Sequence, residues 1–113
     1  MKITIGTATF TATLETTPAA QAFADRLPLT VSMTELNGNE KFFDFQTALP
    51  ARATNPGTIR AGDLMLYGPR TLVLFYRSFP TTYAYTRLGR VDDPAGLAAA
   101  VGDGQVTVTF TAP

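Results

Sequence analysis

The chain has 113 residues, no cysteine, no histidine and zero formal net charge. Those absences exclude disulfides, the usual cysteine and histidine zinc sites, and every triad that needs a histidine base or a cysteine nucleophile. Zero net charge gives no general attraction to nucleic acid or acidic membranes, and the length suits one domain with a core that needs no staples.

Ile3 and Ile5 alternate with Lys2 and Thr4, and Phe10, Ala12 and Leu14 alternate with Thr9, Thr11 and Thr13. The period of two on either side of Gly6 predicts an amphipathic hairpin with one face in the core. Threonine occurs 19 times, often in such alternation, which suits a pleated and half-buried surface. Thr17-Pro18 reads as an N-cap followed by proline at the first helical position. Ala19, Ala20, Phe23, Ala24 and Leu27 then recur at helical spacing, and Pro28 ends the pattern. A helix of about ten residues is marginal alone, so Phe23 and Leu27 are expected to dock on a sheet.

From Leu29 the period returns to two through Val31 and Met33, and Asn37-Gly38 marks a turn that tolerates positive φ. Lys41-Phe42-Phe43-Asp44-Phe45 is the expected return strand, with Glu40 and Lys41 read as a solvated pair beside the turn. Pro50, Asn55, Pro56 and Gly57 then mark a long surface loop. Two nearly continuous apolar runs, residues 63–67 and 72–77, flank Gly68-Pro69 and predict a hairpin covered on both faces. Asp63, at the start of that hairpin after Gly62, is expected to cap loop N–H groups. Residues 78–86 read as an irregular aromatic connection and Arg87–Val91 as a short strand. Asp92 or Asp93 is expected to cap a helix from Pro94 to Val101, closed by Gly102 and Gly104. Val106, Val108 and Phe110, alternating with threonines, give the last strand. About seven or eight strands and two short helices predict a mostly-β domain: a small closed barrel with helices covering its ends.

Between Asp63 and Asp92 there is no acidic residue, yet Arg70, Arg77, Arg87 and Arg90 fall there, leaving five basic and nine acidic residues elsewhere. Aromatics beside arginines can bind a peptide, an aromatic ring or an anion by stacking and forked hydrogen bonds. Tyr67, Tyr76, Arg77, Phe79, Tyr83, Tyr85 and Arg87 are therefore the candidate binding residues, expected to line one surface groove. Phe75 and Tyr76 must point to opposite sides of their strand, so one serves the core and the other the groove. The competing expectation is that the aromatics cover the barrel end and the arginines are solvated. The residues alone name no catalytic group, since the two serines, Ser32 and Ser78, lie in no nucleophile elbow, and no cofactor or metal site is expected. The N-terminus is too short and too alternating for a signal peptide, and no apolar run approaches about 20 residues, so a cytoplasmic location is expected.

The ordered set Leu27-Pro28-Leu29, Asn37-Gly38-Asn39-Glu40-Lys41, Gly62-Asp63-Leu64, Tyr67, Leu72 to Tyr76 and Leu88-Gly89-Arg90-Val91 spans nearly the whole chain. In this it resembles the bacterial cyclophilin-like domain family, small β-barrels related in fold to cyclophilin-type peptidyl-prolyl isomerases. The resemblance implies a cyclophilin-like closed barrel with a site on its outer face. A cyclophilin site uses an arginine and a proline pocket to lower the roughly 18–20 kcal/mol barrier to amide rotation. Without histidine or tryptophan this chain does not carry the full pocket. Three readings follow: a barrel that binds a peptide or small molecule; an isomerase with a non-standard site; and an oligomerising domain that uses the aromatic patch as its interface. In the isomerase, Arg77 or Arg87 would polarise the amide and Phe79 or Tyr83 would hold the proline. The chain is expected to be a monomer or a homodimer, with no nucleic-acid or membrane partner.

Overall fold

A computed structural model describes residues 1–113. The alternating segments become strands β1 (Lys2–Ile5), β2 (Ala8–Leu14), β3 (Leu29–Leu36), β4 (Glu40–Asp44), β5 (Thr58–Ile59), β6 (Asp63–Tyr67), β7 (Thr71–Phe75), β8 (Phe79–Pro80), β9 (Thr86–Val91) and β10 (Val106–Thr111). Eight of them close an antiparallel barrel in the order β1-β10-β3-β4-β7-β6-β9-β2, with β2 returning to β1. Closure leaves no free edge in that sheet.

The interior is filled by the inward member of each alternating pair. Ile3, Val31, Met33, Leu64, Leu66, Leu72, Leu74, Val108 and Phe110 all belong to one buried cluster. Helix α1 (Pro18–Ala24) adds Phe23, whose ring meets Phe110 edge-on at 5.6 Å. Its N-cap is the expected Thr17, whose Oγ1 accepts from the Ala20 amide at 3.2 Å. The helix stops short of Leu27, because the Arg26 and Leu27 amides switch to the Phe23 and Ala24 carbonyls and tighten the last turn. Helix α2 (Leu97–Val101) buries Leu97 and Val101 in the same core. It is shorter than the expected Pro94–Val101, since Gly96 sits at φ 82° and residues 94–97 form a separate turn closed by the Leu97 amide on the Pro94 carbonyl. Neither aspartate caps it: Asp93 accepts from the Ala95 amide at 3.1 Å, and Asp92 accepts from Thr13 Oγ1 at 2.6 Å.

Asn37 and Gly38 both take positive φ, as their turn requires. The central hairpin pairs Leu64 with Leu74 and Leu66 with Leu72. Its other face is apolar too, and this explains the largest departure from expectation. The long loop and the aromatic connection are not independent. They pair through β5 and β8, and through a bridge between Thr54 and Tyr85, to form a flap. Beneath this flap Ile59, Met65, Val73, Phe75 and Tyr85 make a second buried cluster on the outside of the barrel. No helix is long and apolar enough to cross a membrane.

Candidate functional site

Strand alternation places Glu40, Phe42 and Asp44 on the outer face of β4, beside Phe75, Val73 and Thr71 of β7. Tyr67, opposite Thr71, extends this face onto β6, while Tyr83 and Tyr85 close over it from the flap. The result is a groove of about 440 Å³, with Leu36 and Asn37 at its β3 end. The Tyr67 ring lies 6.1 Å from that of Tyr83 and 5.6 Å from that of Tyr85, at interplanar angles of 69° and 56°. The three rings therefore form walls at steep angles to one another, with no parallel stack.

Of the seven residues expected to share a groove, only Tyr67, Tyr83 and Tyr85 line this one. Phe79 packs its ring on Phe75 at 5.7 Å and serves the flap cluster. Tyr76 belongs to the barrel core and donates its hydroxyl to Glu35 Oε1 at 2.7 Å. Burial, and then that bond to the glutamate, push its hydroxyl up to about 12. Phe75 and Tyr76 do face opposite ways, but Phe75 takes the outer side. Arg77 lies over the Tyr76 ring at 5.5 Å. Arg87 donates to Asp63 Oδ1 at 2.9 Å, while Asp63 Oδ2 accepts from the Arg60 amide, a capping role as expected.

A larger cleft of about 530 Å³ lies between α1 and the loop carrying Pro50, and is lined by Arg52 and Arg87 among mainly polar side chains. It holds none of the three tyrosines, so the arginine and tyrosine surfaces are separate. The smaller groove carries the stronger binding signature. Leu36, Tyr67 and Tyr83, respectively 43%, 51% and 62% exposed, are the large hydrophobic side chains left open to solvent, and all three rim it.

Glu40 and Lys41 are not a solvated pair. Both are buried, and as strand neighbours they face opposite ways. Lys41 is fully buried: its Nζ donates to the Gly102 and Gly104 carbonyls and pairs with Glu35 Oε1 at 3.0 Å. Glu40 faces the groove, where burial, followed by the negative charge of Glu35, raises its carboxyl above the usual range. Sequence reading missed Glu40, Phe42 and Asp44 as groove residues. Their signal was the alternation in residues 40–45, which puts these three on one face and Lys41, Phe43 and Phe45 on the other.

The closed antiparallel barrel and its flap define a small β-barrel protein. The model of the Cyclophilin-like family matches residues 3–111, and the chain belongs to that family. No curated protein and no solved structure matches the chain.

Proposed function

We propose that this protein binds a peptide or small molecule in the groove formed by Tyr67, Tyr83 and Tyr85 on the outer barrel face. One observation carries the reading: the three exposed large hydrophobic side chains converge on a single concave surface. Scattered exposed apolar residues need no explanation, but their concentration around a groove marks a binding surface. The isomerase reading is the weaker one. It needs an arginine over the aromatic groove, whereas Arg77 stacks on Tyr76 and Arg87 pairs with Asp63.

An NMR screen with short aromatic and proline-containing peptides is expected to find weak binders that lose about tenfold in affinity in Tyr83→Ser. Tyr83 is exposed, so this variant keeps the fold intact. Binders indifferent to Tyr83→Ser would refute the groove. Concentration-dependent sedimentation abolished by Tyr83→Ser would instead assign the surface to a second copy of the chain.

A further inference from the structure

Three charged side chains in this protein are buried: Glu40, Lys41 and Asp63. Lys41 has Glu35 and two carbonyls, and Asp63 has Arg87 and a backbone amide. Glu40 differs. It is 7% exposed, no hydrogen bond or ion pair reaches its carboxylate, and the open part of its surface faces the groove. Its oxygens are not sealed from solvent, so the carboxylate stands in the groove unpaired and open to a ligand.

The surroundings indicate what would complete it. Asp44 is the only other charged residue lining the groove, and no lysine or arginine does. Asp44 is exposed at the rim and its Oδ1 accepts from Thr71 Oγ1 at 2.6 Å, whereas the Glu40 carboxylate lies deeper and accepts from no group of the protein. Two carboxylates are too few for a hard divalent cation, which takes six or more oxygen ligands. Aromatic faces set at steep angles suit a different cation, since the negative face of each ring attracts a positive charge without a hydrogen bond.

We infer that the groove, granted the binding reading above, takes an organic cation of the alkylated ammonium class, seated against Tyr67, Tyr83 and Tyr85 with Glu40 as its counter-charge. The cation can be free or can end a peptide side chain, because both present the same chemistry. A volume of about 440 Å³ accommodates a compact head of this kind with part of its chain.

NMR titration with choline chloride, its neutral isostere neohexyl alcohol, and a trimethyllysine-containing glycine pentapeptide tests the inference. Choline is expected to shift the resonances of Leu36, Tyr67, Tyr83 and Tyr85 saturably, and neohexyl alcohol to bind at least tenfold more weakly. Glu40→Gln should weaken choline at least tenfold while the protein stays folded, and Tyr83→Ser should weaken it through loss of one wall. A pentapeptide affinity at least tenfold above that of choline assigns the cation to a side chain, and equal affinities assign it to a free cation. Equal binding of choline and neohexyl alcohol overturns the cation and leaves the binding groove standing. Silence from choline and the pentapeptide overturns the cation as well, and if the short-peptide screen is also silent the groove falls with it.

Discussion

Replacing Lys41 with alanine is expected to destabilise the protein by about 2–4 kcal/mol, because a fully buried side chain and its charge-assisted hydrogen bonds are lost while its partner Glu35 stays partly exposed. The ammonium group holds the Gly102 and Gly104 carbonyls, which follow α2, against the end of the barrel. It also pairs with Glu35 across the β3–β4 ladder. Alanine leaves those carbonyls without this donor and takes one of three donors from the Glu35 carboxylate. For a domain whose total stability is on the order of 5–15 kcal/mol, this is a large share. Urea unfolding measures it directly, and a loss below about 1 kcal/mol would mean that Lys41 is hydrated rather than latched. The latch also has a pH signature. Desolvation pushes the Glu35 carboxyl up, but hydrogen bonds from Tyr76, Lys41 and the Gly38 amide outweigh it and hold the group below the usual range. Its stabilisation is therefore complete above the ordinary glutamate range and is lost as pH falls through the lowered value. Glu40 works in the opposite sense: its raised value means that ionisation costs stability at neutral pH, and acidification relieves that cost first.

Gly89→Ala is expected to cost about 3 kcal/mol or more, with unfolding of much of the population at elevated temperature. Gly89 pairs with Leu14 of β2 on one side and Leu64 of β6 on the other, next to the register shift in the β6–β9 ladder. A Cβ built there lies 2.5 Å from the Thr13 carbonyl oxygen and 3.1 Å from the Leu14 Cα. Both are backbone atoms of the neighbouring strand, so relief requires the barrel wall itself to open. Gly104→Ala is the matched control, since nothing lies within 4 Å of its Cβ position. Thermal unfolding of the pair should separate them clearly, and equal midpoints would show that β2 and β9 are not held as closely as the geometry requires.

Much of the barrel was legible in the residues. The threonine-spaced runs, Asn37-Gly38 and the paired apolar runs around Gly68-Pro69 each specify strands or turns by local chemistry, and each forms as expected. The Glu40–Lys41 alternation was equally local, but proximity to a turn suggested solvent. Burial of Lys41 depends on Glu35 and on the residue 102–104 loop, far away in sequence. The candidate site was legible only in part, for a related reason. Both β6 and β7 are apolar on both faces, so alternation alone does not say which face is the barrel interior. Tyr76 faces inward and Phe75 outward because the flap covers the outer side, and the flap arises from pairing between two segments with weak individual signals. The arginines went astray for want of the same information. Charge and aromatic content placed them near the tyrosines in sequence, whereas Asp63 draws Arg87 away and the Tyr76 ring draws Arg77.

The most direct test of the tyrosine groove is to map where a bound ligand acts, using backbone and aromatic NMR shifts of the whole protein during titration with a binder from the peptide screen. A contiguous set of shifts is expected at Leu36, Glu40, Tyr67, Tyr83 and Tyr85, which all line the groove, with Arg77 and Arg52 silent. Shifts centred instead on Arg52 and Arg87, in the larger cleft, would contradict it.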